Sequence, residues 1–216
     1  MNLEGIIFDL DGTLVNSIED IADSMNTVLE AANYPTHSYK TYKTFIGSGI
    51  RNLVSKAIPA SMKTAIEIDK GFAGMLEQYK VNCTNKSAPY PGILVLLEKL
   101  QLTNLKLAVL SNKADALTKK VVVEKLPQIF DPVIGLTTEE LKKPNPEIVL
   151  NICKTLGLDV KKTMYVGDTS VDIQTAKNAG LISVAVTWGF RSKQSLLAEN
   201  PDYIIDTPQE LLNFVS

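Results

Sequence analysis

Four short apolar runs constrain this chain more than any other feature, because each leads through a polar or glycine turn into a helix-like stretch. The runs are Gly5–Leu10, Leu105–Leu110, Met164–Gly167 and Ile182–Thr187. All are rich in β-branched or aromatic residues and read as buried parallel strands. The helix-like stretches include Gly92–Leu102, Asp115–Lys125, Glu147–Leu156 and Asp172–Ala179. Strand and helix alternating at this spacing predict an α/β fold, a Rossmann-like doubly wound parallel sheet. Such sheets carry their chemistry at the carboxyl ends of the strands, so the residues that follow each run matter most.

The alternation breaks between about Asn16 and Ala88. Ile18–Ala32 has helical periodicity through Ile18, Ile21, Ala22, Met25, Val28 and Leu29. Arg51–Ile58 and Met62–Tyr79 also read as helical, with no convincing strand between them. This predicts a helical domain over residues 16–87, inserted after the first strand of an α/β core formed by 1–15 and 88–216. The Asn-, Ser- and Pro-containing stretch Asn82–Pro91 leads back to the sheet.

Composition narrows the function classes. With 216 residues, 45% hydrophobic and 21% charged, the chain is large enough to bury a substantial core and has the balance of a soluble globular protein. A net charge of −2 gives no footprint for nucleic acid or for a membrane surface. The N-terminal run is flanked by Glu4, Asp9 and Asp11, unlike a signal peptide, and no apolar run approaches a membrane span. The chain reads as cytoplasmic, with a monomer as the default state. Cys83 and Cys153 read as buried free thiols, one disulfide being the alternative, and neither has metal-ligand spacing for zinc.

The strand ends hold the chemistry. Asp9-Leu10-Asp11-Gly12-Thr13 follows the first, with two aspartates at i and i+2 and a glycine for a tight turn. Ser111-Asn112-Lys113 follows the second, a hydroxyl and an amide able to hold an anionic oxygen. Lys142-Lys143-Pro144 precedes a helix start, and Gly167-Asp168-Thr169-Ser170-Val171-Asp172 adds two more carboxylates. Carboxylates gathered at one rim repel one another unless a cation compensates. Oxygen-only ligands beside a phosphate favour Mg²⁺ over zinc or copper, and lysine and hydroxyl donors suit the remaining phosphate oxygens.

Taken singly, each motif has an ordinary structural explanation. Asp-x-Asp-Gly is a common turn, Gly-Asp-Thr and Ser-Asn are helix caps, and a lone lysine is a surface cation. Taken together and in this order, Asp9-x-Asp11-Gly12-Thr13, Ser111-Asn112, Lys143-Pro144 and Gly167-Asp168-Thr169-x-x-Asp172 resemble the four motifs of the haloacid dehalogenase superfamily. The helical insertion resembles the small α-helical cap of one of its subgroups. Gly47-Ser48-Gly49-Ile50-Arg51 and Thr187-Trp188-Gly189-Phe190-Arg191 resemble phosphoglycolate phosphatases and their relatives within it.

That resemblance implies an Mg²⁺-dependent phosphatase acting on a small phosphorylated metabolite, 2-phosphoglycolate first. Asp9 would be the nucleophile and Asp11 the acid and base. Asp9, Asp168 and the Asp11 carbonyl would hold Mg²⁺, with Asp172 supporting. Gly12, Thr13, Ser111, Asn112 and Lys143 would serve the phosphate and the nucleophile loop. Asp11 also favours phosphoryl transfer over dehalogenation, since an alkoxide leaving group benefits from an acid and halide does not. Another small phosphate substrate, a phosphomutase and a catalytically silent binding protein are the alternatives. In the cap, Gly49 and Arg51 are candidates for substrate recognition, with Arg51 able to reach a carboxylate. His37, the only histidine, and Trp188 read as structural. Asn16 stands where the pattern usually has aspartate.

Overall fold

The computed structural model describes residues 2–215. In chain order the elements are β1 (Gly5–Phe8), β2 (Val15–Asn16), α1 (Ile18–Ala31), α2 (Tyr39–Phe45), α3 (Gly49–Ala57), α4 (Ala65–Asn82) and β3 (Ala88–Pro89). There follow α5 (Ile93–Gln101), β4 (Lys106–Ala114), α6 (Asp115–Lys125), β5 (Val133–Leu136), α7 (Glu147–Leu156) and β6 (Thr163–Gly167). After these come α8 (Ser170–Ala179), β7 (Ile182–Val186), α9 (Lys193–Leu197), β8 (Tyr203–Ile205) and a 3₁₀ helix over Pro208–Phe214.

The main sheet runs β5-β4-β1-β6-β7-β8, and every adjacent pair is parallel. From β1 the chain winds outward through β4 and β5, then crosses to β6, β7 and β8 on the other side. The carboxyl end of β1 is therefore the switch point of the sheet, where connections diverge and leave a crevice. Register completes the placement. Phe8 lies level with Val109 of β4 and Val166 of β6, so the residues that follow in all three strands emerge at one rim.

Successive side chains of these strands alternate between two cores, as the pleat requires. Ile6, Phe8, Val109 and Val166 join one hydrophobic cluster, which continues into α5, α6 and the helical insertion. Ile7, Ala108, Leu110 and Tyr165 join a second, closed by Val149, Ile152 and Cys153 of α7 and Ala176 of α8. Both faces are covered, which explains why the strands read as continuous apolar runs. Cys83 and Cys153 are buried free thiols.

The insertion spans α1 to α4, and its helices pack on one another through Met25 and Leu29 of α1, Leu53 and Val54 of α3, and Met75 and Tyr79 of α4. Gly71 sets the approach of α4 to α3, since a Cβ there would lie 2.8 Å from the Val54 side chain. Where the chain leaves and rejoins the sheet, β2 and β3 pair antiparallel, Val15 with Pro89 and Asn16 with Ala88. Asn16 itself is exposed. His37 packs edge-on against Tyr42 and Phe45 and lies 2.8 Å from the Ala57 carbonyl oxygen, a structural placement.

Sequence reading missed the two-residue ribbon strands β2 and β3, the edge strands β5 and β8, and the helices α2 and α9. The strands β5 and β8 are edge strands of four and three residues, too short to stand out as runs. Helix α2 (YKTYKTF) is largely polar and buries only Tyr42, so it carries no apolar stripe. Among the described residues no helix is long and apolar enough to cross a membrane.

Candidate active site

The loop after β1 is wound tightly about one carbonyl. The Leu10 oxygen accepts from the backbone N–H groups of Thr13, Leu14 and Val15. Gly12 sits at φ +94°, and a Cβ there would fall 2.4 Å from an Asp168 carboxylate oxygen. Glycine is thus required twice, for the left-handed backbone and for the approach of two motifs. The turn presents the carboxylates of Asp9 and Asp11 to the crevice between β4 and β6.

Lys143 organises the floor of the site. Its ammonium donates to Asp9 Oδ1 at 2.8 Å, Asp172 Oδ1 at 2.7 Å, the Tyr165 hydroxyl at 2.9 Å and the Leu110 carbonyl at 3.3 Å. Burial works against this charge, but Asp172 and Asp9 overcome it and hold the lysine pKa well above its ordinary value. Asp172 in turn is fixed by a capping box at the start of α8, where its Oδ2 accepts from the Thr169 N–H and hydroxyl. Asp168 is fully buried and accepts from the Phe190 N–H at 2.7 Å and, weakly, from the Thr13 hydroxyl at 3.4 Å.

Asp9, Asp168 and Asp172 each bring a carboxylate oxygen within 4.8 Å of the others. Three carboxylates face one ammonium, so the group lacks positive charge. The imbalance shows in their proton affinity. Burial, with Asp172 and Asp11 adding and Lys143 opposing, pushes the Asp9 carboxyl up to about 7. Burial, then Asp172 and Asp9, raises Asp168 well above the usual carboxylate range. Oxygen-only donors, full burial and excess negative charge fit a hard divalent cation.

Asp11 has a different environment. Its Oδ1 accepts from Ser17 Oγ at 2.6 Å, and the Lys113 ammonium reaches Oδ1 at 2.8 Å and Oδ2 at 3.0 Å. Lys113 also donates to the hydroxyl of Tyr79 on α4 at 2.5 Å. Burial, reinforced by the Asp11 charge, holds the Tyr79 phenol well above its ordinary pKa. Lys113 was not among the sequence candidates. Its signal was position alone: it directly follows Ser111-Asn112, where β4 continues with an irregular register beyond Leu110.

Ser111 and Asn112 line the same cavity. The Asn112 amide donates to the carbonyls of Gly47 at 3.0 Å and Lys143 at 3.2 Å, while its oxygen accepts from the Lys143 N–H at 2.9 Å. Its side chain therefore ties three motifs together. The loop Thr187–Arg191 does similar work on the other side. Trp188 Nε1 donates to the Thr13 carbonyl at 2.9 Å, and the Arg191 guanidinium donates to the Lys43 and Ile46 carbonyls at the end of α2.

One cavity, partly open to solvent, lies between the sheet edge and the insertion. Asp9, Asp11, Ser111, Asn112, Lys113 and Lys143 form its sheet side, and Ile21, Ile46, Ile50, Leu53 and Met75 its helical side, with Tyr79 between. Gly49 lines it as well. Arg51 does not: it pairs with Asp69 at 2.5 Å and lies over Phe72 on the outer surface of the insertion, its side chain 43% exposed.

Comparison with known proteins agrees with this geometry. Residues 6–186 match the family model described as haloacid dehalogenase-like hydrolase. The chain is 32% identical to a phosphoglycolate phosphatase of Aquifex aeolicus over 97% of its own length and 95% of the relative's. It is 31% identical to a phosphoglycolate phosphatase of Pseudomonas syringae pv. tomato, over 96% and 78%. A crystal structure of a predicted phosphoglycolate phosphatase from Haemophilus somnus 129PT superposes with TM-score 0.90 at 30% identity, covering 100% of this chain and 99% of that one. One from Lactobacillus delbrueckii subsp. bulgaricus gives TM-score 0.92 at 30% identity, covering 98% and 97%. The chain belongs to the haloacid dehalogenase-like hydrolase family.

Proposed function

We propose that this hydrolase is an Mg²⁺-dependent phosphatase that cleaves a small phosphomonoester, 2-phosphoglycolate first, through an aspartyl-phosphate on Asp9. The observation that carries the reading is the pairing of two carboxylates in one cavity with opposite surroundings. Asp9 is buried against Lys143 and the other acids, and Asp11 stands beside it, held by Ser17 and Lys113. One is placed to attack and the other to handle the proton.

In the first step an Asp9 carboxylate oxygen forms a bond to phosphorus as the bond to the ester oxygen breaks. Asp11 gives its proton to that departing alkoxide. In the second, Asp11 takes a proton from a water that attacks the phosphorus of the acyl-phosphate, releasing inorganic phosphate and regenerating Asp9. Mg²⁺, held by Asp9, Asp168 and the Asp11 carbonyl with Asp172 behind them, would neutralise the phosphoryl charge and keep Asp9 ionised. Lys143 spreads the remaining charge, and Ser111 and the Gly12 turn orient the phosphoryl oxygens. Asn112 and Thr13 keep Lys143 and the nucleophile loop in place.

We assign residues 16–87 as a cap and 1–15 with 88–216 as the catalytic core, joined at the β2–β3 ribbon. The aliphatic cap wall would exclude bulk water from the aspartyl-phosphate. The test is phosphate release from 2-phosphoglycolate, sugar phosphates, nucleoside monophosphates and pyrophosphate, with Mg²⁺ and with EDTA. Mg²⁺-dependent release, highest kcat/KM on 2-phosphoglycolate, is expected. Turnover that survives EDTA contradicts the mechanism, and a better substrate elsewhere in the panel replaces the substrate assignment. Reactivation by a bisphosphate would identify a mutase.

A further inference from the structure

We infer that Lys113, backed by Tyr79, is the specificity residue that receives a carboxylate on the leaving group, and that in doing so it releases Asp11 to serve the departing oxygen. The inference rests on the phosphatase reading above and deepens it.

The cavity wall leaves few places for a second anionic group. Apart from the Gly47 and Gly49 backbone at the start of α3, its helical side is aliphatic, and a carboxylate left against Ile46, Ile50, Leu53 or Met75 would be buried without a charged partner. Among the described residues two ammonium groups line the cavity. Lys143 is committed to Asp9 and Asp172. Lys113 is the other, with a side chain only 2% exposed. The arginine that sequence reading put forward for this task, Arg51, is paired on the outside with Asp69.

Position also favours Lys113. In 2-phosphoglycolate one methylene separates the ester oxygen from the carboxylate. The group that protonates the ester oxygen and the group that grips the carboxylate must therefore be neighbours. Asp11 and Lys113 are in contact at 2.8 Å and 3.0 Å. The Tyr79 hydroxyl, 2.5 Å from the Lys113 ammonium, stands on the cap side of the pair.

The same contact supplies discrimination. Without a competing anion, Lys113 draws both oxygens of Asp11 toward itself. A substrate carboxylate exchanges for Asp11 on the ammonium, and Asp11, still accepting from Ser17, turns to the ester oxygen. A substrate of the same length with a neutral end leaves Asp11 paired. Discrimination then appears in the transition state rather than in binding alone.

The experiment compares kcat/KM for 2-phosphoglycolate with that for 2-hydroxyethyl phosphate, which has the same length and no carboxylate. In the wild type the ratio should be about 100 or more, the scale set by leaving a buried charged donor without its partner. In Lys113→Met the ratio should fall at least about 30-fold, whatever common loss both substrates suffer through Asp11. Tyr79→Phe, which keeps the ring and its packing, should lower the ratio several-fold. Arg51→Ala should leave it unchanged. A ratio unaltered in Lys113→Met, even with both rates reduced, overturns the inference and makes Lys113 a support of Asp11 alone. If Lys113→Met does not fold by circular dichroism, Tyr79→Phe decides by the same criterion. Wild-type release from neutral esters with no carboxylate preference overturns the inference and leaves the phosphatase standing. No release from any ester overturns the phosphatase reading and this one with it.

Discussion

The sheet edge and the helical wall line one cavity but are built on different terms. On the sheet side, the ends of β1 and β6 place Asp9 and Asp168, the first turn of α8 places Asp172 and the loop before α7 brings in Lys143, and each has a charged or hydrogen-bonding partner. On the helical side the cavity meets Ile21, Ile46, Ile50, Leu53 and Met75, which supply shape and dryness and few directional contacts. The contrast separates two tasks. On the proposed mechanism the edge carries the chemistry and tolerates little change, whereas the wall supplies shape and excludes water, and Lys113 at the edge, backed by Tyr79 of the wall, reads the leaving group. Contacts that cross the divide include Arg191 to the end of α2, Asn112 to Gly47, Tyr79 to Lys113 and Ser17 to Asp11.

If that division holds, substitutions at the edge should be the most damaging. Asp9→Asn should reduce phosphate release by about 10⁴-fold or more, since it removes the attacking oxygen itself. Asp11→Asn should cost about 10²- to 10⁴-fold on alkyl phosphates, and far less on an aryl phosphate whose leaving group needs no acid. Steady-state kinetics on the two ester classes checks both. An Asp11→Asn loss equal for alkyl and aryl esters would assign Asp11 to structure instead.

The crossing contacts should show intermediate effects. Arg191→Gln removes a charged donor from the Lys43 and Ile46 carbonyls and should lower kcat/KM about 10-fold through poorer closure of the wall. Its far-ultraviolet spectrum should stay native, because the contact joins two units rather than building either.

Metal removal tests the edge by stability. Asp9 binds its proton up to about 7 in the folded, metal-free protein, against an ordinary value of 3.8. The folded state therefore holds more protons than the unfolded chain between those values, and its stability should fall as pH rises from about 4 to about 7. Mg²⁺ competes with those protons, so its stabilisation should grow across the same range. Thermal melts with EDTA and with Mg²⁺ at a series of pH values will show it. The smallest effect belongs to the outer surface of the wall, where Arg51→Ala should change kcat/KM less than about 2-fold, since an exposed ion pair contributes little.

The two regions also differed in how far they could be read from sequence. Four strand runs and the motifs behind them were legible because buried parallel strands are uniformly apolar and their polar ends are short and regular. The helices α1, α3 and α4 were visible by periodicity. Helix α2 was not, because Tyr42 is the only residue it buries. Arg51 and Lys113 show the limit most clearly. An arginine beside two glycines suggested a substrate contact, but helix α3 turns it away from the cavity toward Asp69. Lys113, next to Ser111-Asn112 in the sequence, was given no role. The irregular end of β4 carries it beneath α4, where it meets Asp11 and Tyr79. Motifs specify what sits on a strand end, while side-chain direction across an insertion depends on packing that no local pattern records.

The most direct test of the central claim is rapid acid quench of the wild-type enzyme turning over 2-phosphoglycolate with Mg²⁺, followed by peptide mass mapping. The account predicts one phosphoryl group on the peptide containing Asp9, absent when Mg²⁺ is withheld and absent in Asp9→Asn. Turnover with no phosphoryl group on Asp9, or undiminished turnover by Asp9→Asn, would contradict it.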